Sequence, residues 1–228
     1  MAITEPLIAP RPRGRPADPE LPGRRREQIL SAATAFFAAA GYAEADLAAL
    51  ANKLEVGKGT LYRYFPTKEA LFFAALDRGM ERLHVAVDGA MTGITDDLAG
   101  LDAGITAYLG FFAENPDLIE LMILERAAFK GRAAPVYFAH KERYRAERRN
   151  RYRRLMKSGQ VRTMDPDAMS AFIGNLLYGT VLTHHFTGRA ASLRDQTKIL
   201  LDVIQHGLLT DSERGKRPAL ASLKLESI

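Results

Sequence analysis

The 228-residue sequence contains no cysteine, which removes disulfides, thiolate nucleophiles, zinc fingers and iron–sulfur clusters as organising chemistry. It lacks any segment of strict apolar/polar alternation bounded by hairpin turns, so nothing in it argues for a sheet. No internal repeat recurs at a period of about 20 to 50 residues. The longest apolar stretch, residues 168–183, is interrupted by Ser170, Asn175 and Thr180. It falls short of the roughly 18 to 20 residues that a membrane span requires and reads as a buried helix at a packing interface. The opening MAITEPLIAPRPRGRP lacks the order of a secretion signal, in which a charged end precedes an apolar run. These absences lead us to expect a cytoplasmic protein with no membrane partner.

What is present is helical. A 47% hydrophobic content is enough for a sizeable core, while the net charge of +5 leans only weakly towards polyanionic partners. Residues 1–23 hold six prolines and two glycines with no apolar period, and are expected to form a flexible basic arm. From Arg24, Ile29, Ala33, Phe36, Phe37 and Ala40 recur at helical spacing and Gly41 stops the helix. A second amphipathic segment carries Leu47, Leu50, Ala51 and Leu54, and a short third runs from about Lys58 to Phe65, where Pro66 ends it. A long fourth helix follows the capping residue Thr67 through Leu71, Phe72, Ala75, Leu76 and Leu83. Asn115-Pro116 and Asp165-Pro166 are further start signals. Pro135 is expected to open one helix ending near Ser158-Gly159, Ser192 to cap a last one reaching about Thr210, and the tail from Asp211 to fray. The fold class is all-α.

Residues 47–64 meet the demands of a helix-turn-helix. Leu50, Leu54, Val56 and Leu61 supply the apolar contacts, and Ala51 is small where the two backbones approach. The second helix then exposes Lys58, Gly59, Thr60, Tyr62, Arg63 and Tyr64, a mixture of cation, hydroxyl and bare backbone suited to phosphates and base edges. The alternative is an aromatic-rich third helix that only packs, and Tyr64, at the inner edge, is the residue to which it applies best.

The stretch VGKGTLYRYFPTKEALF, residues 56–72, resembles the signature of the TetR/AcrR family of transcriptional regulators, with Gly41-Tyr42 extending the match upstream. The resemblance implies an N-terminal three-helix DNA-binding domain, joined by a connecting helix to a larger helical domain for ligand binding and dimerisation. It divides the chain into 1–23 (arm), 24–76 (DNA-binding), 77–210 (effector and dimer) and 211–228 (tail). It places Lys58, Gly59 and Thr60 at the groove, Tyr62, Arg63 and Tyr64 on bases or phosphates, and Lys68 on a phosphate. For Lys68 there is a separate reason, since helix N-termini attract anions. Three departures stand out. Ala45 replaces a threonine cap whose place Asp46 can take. Glu55 occupies a turn position where a positive φ would strain it by about 1 kcal/mol. Gly57 replaces a serine cap.

Outside this segment the readings stay open. The run KERYRAERRNRYRRLMK, residues 141–157, carries nine basic residues against two acidic ones; it is a solvated helix face, an anionic effector site or a second DNA contact. His184-His185 has the wrong spacing for a metal pair and is assigned to packing or an interface. Glu125-Arg126 is a buried polar pair facing a ligand, or a helix's solvent edge. Gly57-Lys58-Gly59-Thr60 lacks the first glycine of a phosphate loop. The five histidines form no arrangement with a nucleophile or base, so no enzyme and no cofactor is expected. An effector pocket is expected around Tyr108, Phe112, Met122, Glu125, Arg126, Phe129 and Tyr178. The last two helices, through Ala168, Ala171, Gly174, Leu177, Leu201, Ile204 and Leu208, are expected to pack across a two-fold axis. Arg11, Arg13 and Arg15, set in Arg-Pro-Arg-Gly-Arg-Pro, suit a narrow minor groove. The function that follows from the resemblance is a homodimeric, ligand-responsive regulator, a repressor released from a palindromic double-stranded operator by a small-molecule effector. The competing class is a helical ligand-binding or scaffold protein without operator binding.

Overall fold

The apolar period that opens the chain folds as α1 (Leu21–Ala40), and Ile29, Leu30, Ala33 and Phe37 line its buried face. Gly41 ends it at φ +75°, a left-handed conformation that glycine adopts without strain, and its N–H reaches Phe37 O at 2.9 Å. The coordinates are a computed structural model that describes residues 21–188 and 192–216. Arg11, Arg13 and Arg15 lie outside the described residues.

Ten further helices follow among the described residues: α2 (Leu47–Lys53), α3 (Lys58–Tyr64), α4 (Lys68–Met91), α5 (Asp97–Glu114), α6 (Pro116–Ala128), α7 (Val136–Arg143), α8 (Arg145–Lys157), α9 (Pro166–Thr187), α10 (Leu193–Leu208) and α11 (Asp211–Arg214). The only pairing of strand type among those residues is an isolated bridge between Val161 and Leu209, so the fold is all-α. Caps begin the helices as the side chains dictate. Thr67 accepts from Ala70 N–H at 3.0 Å, Asp165 from Asp167 N–H at 3.1 Å and Ser192 from Asp195 N–H at 3.1 Å.

Helix α4 organises the molecule. Its first half packs Leu71, Phe72, Ala75 and Leu76 onto α1, and its second half runs against α5 and α7. Gly79, on the boundary, lets Leu118 of α6 approach so closely that a Cβ would collide with its side chain. Phe129, after α6, adds a second tie, lying 4.7 Å from Tyr42, 5.7 Å from Phe72 and 4.7 Å from Phe73 between ring centroids.

Three elements differ from expectation. The helix from Pro135 is two helices, broken at Tyr144, whose ring stacks on His84 of α4 with centroids 3.5 Å apart and whose hydroxyl donates to Glu81. A tertiary contact rather than a local breaker sets that bend. Residues 211–214 form a short helix capped by Thr210, where a frayed tail was expected. On α9 and α10, Leu177, Leu201 and Ile204 are buried within this chain, Gly174 faces Lys141, and nothing is described of the Leu208 side chain. The exposed face carries Ala168 and Ala171 together with Phe172, Phe186, Ile199 and Val203.

Candidate DNA-binding surface and effector cavity

The turn between α2 and α3 is built by backbone hydrogen bonds. Asp46 caps α2 by accepting from Ala48 N–H at 2.8 Å, so the place left by Ala45 is filled. At the other end Val56 N–H donates to Ala51 O and Glu55 N–H to Asn52 O, both at 3.0 Å, the paired bonds of a Schellman stop. Such a stop needs a left-handed residue, and Glu55 takes it at φ +53°.

Helix α3 buries Leu61 completely and turns the remaining residues outward. Lys58, Gly59, Tyr62 and Arg63 are exposed, Thr60 and Tyr64 half-buried. The Lys58 ammonium lies 5.9 Å from the Tyr62 ring and the Arg63 guanidinium 5.7 Å from the Tyr64 ring. Tyr64 packs against the core, and Tyr62 is the free aromatic. Neither Gly57 nor Gly59 has a positive φ, and a Cβ at either would meet nothing within 4 Å. Nothing inside the protein demands a glycine at 59, although alanine would favour the helix by about 1 kcal/mol.

Lys68, expected on a phosphate, also bonds within the protein. Its Nζ donates to Ala43 O at 2.9 Å and Ala45 O at 3.1 Å, over the Tyr42 ring at 5.0 Å. The side chain folds back to tie the α1–α2 connection to the start of α4. Of the three donors of an ammonium, one is left to meet a phosphate.

A cavity of about 180 Å³ lies among α4, α5, α7, α8 and α9. Met80, Leu83 and Val87 of α4, Leu101 and Ile105 of α5, and Ile173 and Leu177 of α9 form apolar walls. Tyr108 of α5 and Tyr137 of α7 also line it, with their hydroxyls 3.0 Å apart, and burial raises the pKa of both phenols. The polar end holds Lys141, Arg148 and Arg151 with His84 and His140; Asp88 and Glu147, also on its lining, are solvent-exposed. Burial lowers the pKa of Lys141 and Arg148, and for Lys141 the neighbouring Arg148 lowers it further.

Of the seven residues expected at an effector pocket, Tyr108 lines this cavity and the other six do not. Phe112 and Met122 are core residues, 1% and 4% exposed. Phe129 belongs to the aromatic tie between α1, α4 and α6, and Tyr178 packs on Tyr137 and Phe138 from outside the cavity. Arg126 is exposed. Glu125 is 1% exposed and faces backbone rather than a ligand, accepting from Val136 N–H at 3.0 and 3.1 Å at the first turn of α7, which Pro135 cannot cap. The adjacent histidines serve packing: His185 bonds Glu120 of α6 at 2.9 Å and His184 bonds Gln196 of α10 at 3.0 Å.

The basic run sorts by partner. Arg143 pairs with Glu81, Arg145 with Glu142 and Asp167, Arg149 with Asp167 and Arg154 with Asp97. Lys141, Arg148 and Arg151 turn to the cavity instead. The signal was present in sequence, since Arg148, Arg151, Tyr152 and Leu155 recur at i, i+3, i+4 and i+7, the spacing of a buried helix face. Charge density concealed it.

Residues 29–75 match the family model described as bacterial regulatory proteins, tetR family. Among curated relatives, the transcriptional repressor KstR of Mycolicibacterium smegmatis is 42% identical over 66 residues, 29% of this chain and 32% of that protein. The chain therefore spans about a third of the length of that relative. Two solved structures share the fold over nearly their whole length. FadR of Bacillus subtilis in complex with stearoyl-CoA has a TM-score of 0.67 at 18% identity, covering 79% of this chain and 98% of that one. The TetR family regulator PfmR of Thermus thermophilus has a TM-score of 0.64 at 20% identity, covering 78% and 97%.

Proposed function

We infer from the match over residues 29–75 that the chain is a regulator of the TetR family, ligand-responsive and DNA-binding, a repressor released from a palindromic operator by a small molecule. The observation that carries the DNA-binding half is the outward surface of α3. It concentrates exposed Lys58, Tyr62 and Arg63 around a helical glycine that no internal contact requires. A glycine kept against helix propensity suits a backbone that must approach another backbone closely. In this reading Lys58, Gly59 and Thr60 meet the groove, Tyr62 and Arg63 bases or phosphates, and Lys68 one phosphate.

The effector half rests on α4, which starts at the DNA-binding surface and ends as a wall of the cavity. His140, on the cavity's lining, bonds Asp77 of the same helix at 2.6 Å. A molecule lodged there presses on the helix that follows α3 directly in the chain. The regulator acts as a homodimer, with exposed Phe172 and Phe186 of α9 and Ile199 and Val203 of α10 packing across a two-fold axis. Residues 24–76 then act as the DNA-binding domain and 77–210 as the effector and dimer domain.

The test is selection of bound fragments from a random duplex pool, followed by salt titration of the selected sequence. Affinity should fall steeply with salt, and Lys58→Ala should flatten the log-affinity against log-salt slope by about 1 per head. Tyr62→Ala should weaken binding with helicity unchanged. No selected sequence and no salt-dependent affinity would instead identify a helical ligand-binding or scaffold protein.

A further inference from the structure

Among the cations of α7 and α8, the three that face the cavity, Lys141, Arg148 and Arg151, differ in kind from the four that pair with carboxylates. Arg143, Arg145, Arg149 and Arg154 each have a carboxylate within 4 Å. Lys141, half-buried, has no hydrogen-bond or ion-pair partner for its ammonium among the described residues. Arg148 donates to Ser170 Oγ at 3.3 Å and to Lys141 O, and Arg151 to Met91 Sδ at 2.9 Å, so neither meets a carboxylate. Four outer arginines thus have a carboxylate within 4 Å and the inner cations have none at that distance among the described residues, although burying an unpaired charge is unfavourable.

Two further observations point into the same space. The Lys141 ammonium rests against Gly174 of α9, where any Cβ would collide with it, so the glycine holds room for the cation. His140 is 6% exposed and lines the cavity; its Nδ1 has no hydrogen-bond partner, with Glu81 3.9 Å away. A donor set of this kind, opposite walls of Leu83, Val87, Ile105 and Ile173, describes an amphipathic anion. Size narrows the class. An enclosed apolar cavity of about 150 Å³ holds benzene, and this one, about 180 Å³ and partly open to solvent, has room for a single ring.

We propose that the cavity takes a compact apolar monocarboxylate, a single ring or a short branched chain, with its carboxylate received by Lys141 and Arg148. The assignment deepens the reading of this cavity as the effector site and rests on it.

The experiment is calorimetric titration of the full chain with benzoate, phenylacetate and 3-methylbutanoate, each beside its neutral amide. At least one acid should bind, and its amide about tenfold or more weakly, because a charge-assisted contact is lost. Lys141→Met should bring acid and amide within about threefold, whereas Arg153→Met, the same loss of charge at an exposed position of α8, should leave the preference intact. Gly174→Ala favours its helix, displaces the ammonium and should also erode the preference, which keeps the test decisive if Lys141→Met does not fold. The proposal is overturned if no acid binds, if acid and amide bind alike, or if Lys141→Met and Gly174→Ala retain the preference. Binding to the selected duplex without added acid is measured in parallel. A chain that binds duplex but no acid keeps the regulator reading and loses this one; a chain that binds acid through Lys141 but no duplex does the reverse.

Discussion

Glu55 and Gly59 stand four residues apart and break local preference in opposite ways. Glu55 holds a left-handed φ of +53° that a glycine would adopt freely. Relief of about 1 to 2 kcal/mol is partly offset by the added freedom of the unfolded chain, so Glu55→Gly should stabilise by less than about 1 kcal/mol in urea denaturation. Glu55→Val should destabilise, since a β-branched side chain fits that region worst. Gly59→Ala meets open space and should stabilise α3 by up to about 1 kcal/mol while weakening duplex binding. Gains in both properties would remove the reason for a glycine there. Glu125 gives a pH signature. Burial raises its pKa from the ordinary 4.5, against the smaller lowering by the Val136 N–H and the nearby arginines. A raised carboxyl pKa means that its stability contribution is complete below 4.5 and is lost as pH rises through the folded value. Glu125→Gln, which still accepts from Val136 and never ionises, should therefore gain on the parent as pH is raised from 4 to 7, as read from paired denaturation midpoints.

Among elements, three helix starts and one stop were legible in the sequence from their capping chemistry. Thr67, Asp165 and Ser192 cap α4, α9 and α10 where their side chains demanded it, and Gly41 ends α1. The break at Tyr144 was not, because no glycine or proline marks it and the stacking partner His84 lies sixty residues earlier. The same reason hid the cavity. Its determinants, from Met80 to Leu177, are brought together by five helices, and no spacing along the chain reports which faces converge. Of the residues inferred from local apolar pattern, Phe112 and Met122 lie in the core and Tyr108 lines the cavity. At Gly79 a packing contact overrides propensity. Alanine would favour α4 by about 1 kcal/mol, yet overpacking against buried Leu118 costs about 1 to 3 kcal/mol, so Gly79→Ala should lower stability despite its better helix propensity.

At the scale of the whole molecule, the exposed apolar stripe of α9 and α10 sets the expectation for assembly. Phe172→Glu with Val203→Glu should yield monomers in sedimentation velocity and, with them, a large loss of affinity for a palindromic duplex. A dimeric double variant would move the interface elsewhere. Such coupling of heads gives the continuity of α4 a mechanical meaning. A helix of 24 residues is about 36 Å long, so a tilt of about 5° pivoting at its cavity end swings the other end by about 3 Å. In a two-fold dimer both heads swing, and their separation changes by about 6 Å against successive major grooves about 34 Å apart. Hydrogen bonds to base edges tolerate a few tenths of an ångström. In the proposed dimer, the leverage of one uninterrupted rod would thus turn a displacement no larger than a methyl group beside Met80 into a misfit that both half-sites could not satisfy at once.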